Sequence, residues 1–442
     1  MSFLLLLVSV ALSLPLIGNL WDVPVEYPWV IYARWSSTYG DVIYLDTPGN
    51  PTVVINSAEA AVDLLEKRSG NYSDRPGCIG GYFINTSNPV QMRVTLVLLQ
   101  QLLKTPDDFA RHVRYHTSSV IMEIVYGYNV DPNGDPFVEM VDQALEGARI
   151  IGNEGMFLVD YIPSLKYLPR THLKLMKRKE AEEVKERPFK YASESLASDL
   201  AASSFVSENL TNMTEICISE KAAQLEIVRN TAGVAFTAGT DTTVAVLLSA
   251  ILAFVLYPEV QAKAQAELDA VVGPTRLLNF DDRPQLPYIN AILLEVLRWN
   301  PVVPMEGTTF LRARPSSVTL ADIVPGCRAI LHDEKHYPNP LVFDPERFMP
   351  EVGKELQPEP TAAFGFGRRV CSGRYLALNI IWITIASMAA TLSFSEAVDS
   401  EGRVVKPSDT FTNAAISFPV PFKCAIKARS ASAQTLIESD GL

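Results

Sequence analysis

The sequence predicts a mainly α protein with a small β region (α+β). Three observations carry this. A helical pattern from Glu220 to Leu256 is apolar almost all round from Ala232 onward, which marks a helix running through a core. A second apolar run, Tyr375 to Leu392, follows a glycine-rich turn and reads as another buried helix. Strand signals are few; two short ones, Asp41–Leu45 and Pro51–Ile55, are joined by a Thr-Pro-Gly-Asn turn at 47–50.

A chain of 442 residues, 48% apolar, can bury a large core. No Ser/Gly-rich linker, low-complexity tract or repeat divides it. One large domain is expected over residues 21–430, with an apolar segment at 1–20 and a polar tail at 431–442. A net charge of −12 argues against a nucleic-acid partner. The five cysteines, Cys78, Cys217, Cys327, Cys371 and Cys424, include no C-x-x-C and no His at zinc spacing. An odd count in so long a chain predicts no disulfide framework.

The chain opens with Phe3 to Leu14, nearly all apolar, closed by Pro15. A full span wants about 20 residues. The segment is expected to enter a membrane as a short span or partly embedded stretch. Trp29 to Tyr39 reads as a helix, followed by the two strands. Ser57 then caps a helix over Ala58 to Arg68. Gly77 to Asn88 has no periodicity and leads into an apolar helix at Met92 to Leu103. Thr105 to Gly127 is a further helix, with acids in its first turn and Val113, Val120, Ile121 and Ile124 on one face. His112 and His116 lie four apart on it; with no third ligand nearby they are expected at exposed positions. Phe137 to Gly147 continues the series, and Lys174 to Glu186 reads as a solvated helix face.

Inside the long helix sits Ala238-Gly239-Thr240-Asp241-Thr242-Thr243. Gly and Thr are poor helix formers, and a buried Asp is costly unless paired. Local rules broken within a core helix point to a site. Small Ala238 and Gly239 leave room for a ligand. A carboxylate and a hydroxyl side by side, Asp241 and Thr242, suit proton relay.

Pro258–Val272 and Pro287–Trp299 are amphipathic helices, the second holding Glu295 and Arg298 at i,i+3 among apolar neighbours. Gly307 to Cys327 does not look like strands. Beyond it lies Phe343-Asp-Pro-Glu-Arg347-Phe348. Last comes Phe364-Gly-Phe-Gly367-Arg-Arg369-Val-Cys371-Ser-Gly373. It places one cysteine just ahead of an apolar helix, where the dipole and backbone N–H groups favour a thiolate. Glycines allow close approach of a flat ligand, and Arg369 can pair with an anionic group. Thiolate, close backbone and cation suit a haem held by cysteine.

The spacing F-x-x-G-x-R-x-C-x-G resembles the cytochrome P450 haem loop, and three further stretches match that family in order. The hexapeptide at 238–243 resembles its distal-helix signature. Glu295–Arg298 resembles its E-x-x-R helix, and Pro345–Phe348 its P-E-R-F segment. Pro15–Leu20 and Ser73–Pro76 resemble fungal microsomal members, of the O-methylsterigmatocystin oxidoreductase-like type. The resemblance implies the P450 fold, with haem b between the long helix and the Cys371 loop. Phe364, Gly367, Arg369, Gly373, Ala238 and Gly239 would line the haem, with Cys371 as axial iron ligand and Asp241 and Thr242 as the acid–alcohol pair. Glu295, Arg298 and Arg347 would form a buried charge network. It also implies a monooxygenase that takes electrons from NADPH-cytochrome P450 reductase and acts on an apolar small molecule. Its place would be the endoplasmic reticulum membrane, facing the cytosol. Two departures stand out. No tryptophan lies between Trp35 and Trp299, where the family carries a propionate contact, and Arg93 is the nearby cation, read as solvated. The stretch 305–330 is short, with Arg312 and Arg314 as the cations at hand. Two other readings stay open: an incomplete, non-catalytic remnant shortened at 77–104 and 305–330, and a reductase-independent isomerase or dehydratase.

Overall fold

The computed structural model describes residues 9–10, 18–19, 21–46, 51–69, 88–151, 172–213, 218–305, 309–310, 322–350 and 356–439. Strand β1 is Ser9–Val10, helix α1 Pro28–Tyr39, β2 Val42–Leu45 and β3 Thr52–Ile55. Ser57 caps α2 (Ala58–Ala61) by accepting from the Ala60 N–H. The expected helix does not continue as α: Val62–Lys67 is a π-helical turn. Such widened turns are uncommon and no residue pattern announces them. Helices α3 (Asn88–Lys104), α4 (Phe109–Tyr126) and α5 (Pro136–Ile151) follow, then α6 (His172–Ala197) and α7 (Phe205–Asn212).

The long helix, α8, spans Ile218–Leu256 and is stopped by Pro258, which opens α9 (Pro258–Val271). The helix α10 (Pro287–Trp299), strands β4 (Thr309–Phe310) and β5 (Asp322–Pro325), and the short helix α11 (Cys327–Leu331) lead to the cysteine loop. Helix α12 (Arg374–Thr391), strands β6 (Leu392–Val398), β7 (Val404–Val405) and β8 (Cys424–Ala428), and α13 (Ala431–Glu438) close the chain.

The described residues form two small sheets. The first has the order β1-β2-β3-β5-β4, with β2 antiparallel to β3 and β3 parallel to β5. Its β4–β5 pair corrects the expectation of no strands between Gly307 and Cys327. Ile323 and Val324 are β-branched and sit beside Val53 and Val54, so a partner distant in sequence makes the strand. Within the stretch expected to enter a membrane, Ser9–Val10 pairs with β2, and Asn19 is fully buried against Asp46. Apart from these and Gly18, residues 1–20 lie outside the described residues, as do the 47–50 turn and Arg312 and Arg314.

The core is helical. Helices α3, α4, α8 and α12 pack together, with Leu98, Val113, Leu247, Ile251 and Trp382 among its buried side chains. Among the described residues two helices, over Glu220–Leu256 and Arg374–Thr391, are long and apolar enough to cross a membrane. Their most apolar windows are 78% and 61% buried inside the protein, which is where their apolar surface goes.

His112 and His116 are not exposed, contrary to expectation; both are buried. His112 meets Thr105 and His116 meets Val94 and Thr384, so the two rings serve separate contacts. Among the described residues no group of three or more His, Cys, Asp or Glu could hold a metal ion.

Candidate active site

The cysteine loop is shaped by two left-handed glycines. Gly365 has φ 77° and Gly367 φ 57°, a region that side chains disfavour. One short 3₁₀ turn, Thr361–Phe364, precedes them, and a second, Gly367–Arg369, starts at the later glycine. The loop is then pinned by one backbone bond: the Cys371 N–H donates to the Phe364 carbonyl at 2.8 Å. The result is an exposed thiol, while Cys327 and Cys424 are buried. Burial pushes the Cys424 thiol up to about 12. Gly373 caps α12 without a side-chain bond, so Cys371 stands three residues ahead of the first helical position. A Cβ at Gly373 would meet the Cys371 sulfur at 3.9 Å, an ordinary contact.

The loop leans on the π-helical turn. A Cβ at Gly367 would lie 2.1 Å from the Leu65 carbonyl oxygen. Gly367 therefore serves backbone packing against residues 62–67. Its missing side chain makes room for that backbone and not, as the sequence suggests, for a ligand.

Behind the loop, Glu295, Arg298 and Arg347 come together. Arg298 is fully buried and donates through Nε and Nη2 to the two Glu295 oxygens at 2.7 and 2.8 Å. Its Nη1 donates to the carbonyls of Pro340 and Leu331. Arg347 approaches Glu295 at 3.5 Å and donates to the carbonyl of Asn339. The Asp344 N–H completes the carboxylate's partners at 2.8 Å. Burial pushes the Glu295 carboxyl up, and the Arg298 guanidinium opposes that rise.

On α8 the hexapeptide divides between two faces. Ala238 is exposed and Thr242 half-buried; the Thr242 hydroxyl donates to the Ala238 carbonyl at 2.7 Å. Asp241 is fully buried and accepts from Arg114 of α4 at 2.8 Å. The carboxylate and the hydroxyl are therefore not side by side as expected, because successive helical residues point about 100° apart. Gly239 also departs from expectation. A Cβ there would meet Ile121 Cδ1 at 3.0 Å, so the space it leaves is filled by α4 and not by a ligand. Arg114 is not legible in the sequence as a site residue. The signal was indirect: a buried Asp241 calls for a cation, but spacing could not say which one.

Arg93, read as solvated, is ion-paired with Glu123. Arg369 is half-buried on the 3₁₀ turn of the loop.

A family model described as Cytochrome P450 matches residues 89–416. The chain belongs to the cytochrome P450 family. It is 36% identical to "Cytochrome P450 monooxygenase ple1" of Rhodocybe pseudopiperita, over 97% of this chain and 90% of that protein. It is 35% identical to "Cytochrome P450 monooxygenase claR" of Ampulloclitocybe clavipes, over 97% of this chain and 88% of that one. A "Cytochrome P450 monooxygenase 98" of Postia placenta is 35% identical, over 96% and 91%. The first alignment takes up 475 positions with 97% of a 442-residue chain, so about 46 of them are filled by the relative alone. This P450 is thus shorter than its relatives within the matched region.

P450s are haem-thiolate monooxygenases that use a small-molecule substrate and a redox partner, and haem b is the family's cofactor. The residues present fit that group. An exposed thiol is fixed by a backbone bond, and on α8 the Ala238–Thr242 face carries no charged side chain.

Proposed function

We propose that Cys371 is the axial thiolate of this monooxygenase, and that Ala238 and Thr242 form the wall across from it. The single observation that carries this is the exposed Cys371 thiol, fixed by its own N–H to Phe364 behind two left-handed glycines. Phe364 and Gly373 would flank the group, and Arg369 would pair with one of its carboxylates. The haem supplies oxygen activation, tuned by electron donation from the thiolate.

The chain's own residues do the rest. The loop that carries the thiol is held at Cys371 by the Phe364 carbonyl and packs at Gly367 on the Leu65 carbonyl. The Glu295–Arg298–Arg347 set ties α10 to the segment 338–347 and so stiffens the support under the loop. Thr242 holds its proton on the Ala238 carbonyl and can turn it toward the open face. Asp241 supplies the replacement proton to Thr242. The substrate is an apolar small molecule, since Val234 and Ala238 continue that face without charge and both are exposed.

NADPH-cytochrome P450 reductase is the electron donor in this reading. The chain works at the endoplasmic reticulum membrane with its catalytic part toward the cytosol; the apolar residues 3–14 and exposed Trp21 and Val25 support membrane contact.

The test is the absorption spectrum of the reduced protein with carbon monoxide. A thiolate-ligated haem moves the main band to a longer wavelength than a histidine-ligated one. Cys371→Ala is expected to abolish that band, and a parent protein without it would sink the proposal.

A further inference from the structure

Asn300, the residue that ends α10, joins three segments. Its side-chain amide donates to the Ser249 hydroxyl of α8 and to the Ser417 carbonyl, both at 3.0 Å. Its amide oxygen accepts from the Ser417 hydroxyl at 3.0 Å. Ser249 in turn donates to the Ala245 carbonyl at 2.7 Å, and the Ser417 N–H donates to the Val302 carbonyl at 2.7 Å. Asn300, Ser249 and Ser417 are 1%, 0% and 2% exposed. Both donors and the acceptor of the amide are used. A buried carboxamide is costly when unpaired, so this one is satisfied only while all three segments stand in place.

Ser417 belongs to a narrow hairpin. Phe411 bridges Pro419, the Thr412 N–H donates to the Phe418 carbonyl at 2.7 Å, and the Phe418 N–H donates to the Thr412 hydroxyl at 3.0 Å. Its tip residues Ala414, Ala415 and Ile416 carry no charge. Ser249 lies seven residues beyond Thr242. That is nearly two helical turns, so the two share one face of α8, about 10 Å apart. The face is exposed at Val234 and Ala238, half-buried at Thr242 and sealed at Ser249. Asn300 thus docks the hairpin, and Val302 with it, where the open face ends. At the hairpin's other side Asn413 accepts from the Tyr27 N–H at 2.9 Å and donates to the Val25 carbonyl at 3.3 Å. Those bonds are exposed and water competes for them, whereas the buried bonds of Asn300 have no such competitor.

We propose that Asn300 is a positioning residue for substrate length: by holding the 411–419 hairpin and Val302 against Ser249, it fixes how far an apolar molecule extends along α8 beyond Thr242. Asn300 does not touch the substrate. It acts through the uncharged hairpin tip, whose distance from α8 it sets. The substrate class that follows is an apolar molecule whose length past the reacting carbon is limited to about two helical turns. This assignment rests on the reading that the Ala238–Thr242 face lies across from Cys371.

Two measurements on the full chain test it, and neither uses turnover. The first is amide hydrogen exchange, which needs no haem. In Asn300→Ala exchange over residues 411–420 is expected to rise about tenfold, while α12 stays as in the parent. No rise in the hairpin, or an equal rise in both, overturns the clamp. The second is a titration of the haem-loaded protein with 1-alkylimidazoles, from methyl to decyl, read from the absorption shift as the ring nitrogen meets the iron. The tail reports the space along α8. In Asn300→Ala the affinity for the decyl relative to the methyl compound is expected to rise about tenfold. A ratio that is unchanged or lower overturns the length role. Ser249→Ala and Ser417→Ala each remove one hydroxyl and decide the matter if Asn300→Ala does not fold. Each should raise the same ratio about threefold, and the parent ratio in both overturns the proposal. The carbon monoxide band reads the haem-thiolate assignment separately: its absence from the parent sinks that reading and the length role with it, whereas its presence beside an unchanged ratio sinks the length role alone.

Discussion

Gly367 is packed against the carbonyl oxygen of Leu65 so closely that a Cβ would lie 2.1 Å away, in a backbone conformation of φ 57°. Nothing in that geometry can yield cheaply, since the neighbour is backbone. Gly367→Ala is expected to destabilise the protein by about 2 kcal/mol or more, from the left-handed backbone plus overpacking. It should also weaken the carbon monoxide band, because the loop that carries Cys371 must move. Gly373→Ala is the control: its Cβ meets the sulfur at 3.9 Å with φ −86°, and Tm should hardly change. Denaturation midpoints and spectra of the two variants check the contrast.

Gly239 offers a sign change. Alanine is worth up to about 1 kcal/mol over glycine inside a helix. Here its Cβ would press on Ile121 Cδ1 at 3.0 Å, and overpacking costs roughly 1–3 kcal/mol. Gly239→Ala should therefore destabilise the parent. In an Ile121→Ala background, which removes both Cδ1 and the Cγ1 atom at 3.2 Å, the same change should stabilise. Equal effects in both backgrounds would show that the two residues do not compete for space.

The Glu295–Arg298 pair is fully buried, and each partner leaves a charge behind when the other is removed. Arg298→Met is expected to cost about 3–5 kcal/mol in urea unfolding. Adding Glu295→Gln should return part of that loss, since the stranded carboxylate disappears. The exposed pair Lys263–Glu346 serves as comparison: Lys263→Met should move stability by no more than about 1 kcal/mol.

His116 should make the fold acid-sensitive. Burial between α3, α4 and α12 lowers its pKa from the usual 6.5 to about 4. Below pH 6.5 the unfolded chain binds a proton that the folded one refuses until about pH 4. Stability therefore falls as pH drops through that window, by about 3 kcal/mol at its lower end, and is unaffected by this group above it. Replacing His116 with Gln should flatten the slope between pH 6.5 and 4. An unaltered slope in that variant would place the acid sensitivity elsewhere.

The sequence by itself determined the elements whose cause is local. The span of α8 follows from an apolar pattern ended by Pro258, and α12 from the apolar run after Gly373. Cys371 and the Glu295–Arg298 spacing were legible because i,i+3 geometry and a glycine-rich turn are short-range facts. The tertiary structure decided what depends on a distant partner. It gave Asp241 to Arg114, more than a hundred residues away, and turned it from Thr242. It filled the space at Gly239 with Ile121 and set Gly367 on the Leu65 carbonyl. It buried His112 and His116, and paired β5 with β3. The physical reason is common to all of these. A helical period tells which residues share a face, but a buried charge or a missing side chain is answered by whichever neighbour packing brings, and packing is a property of the whole chain.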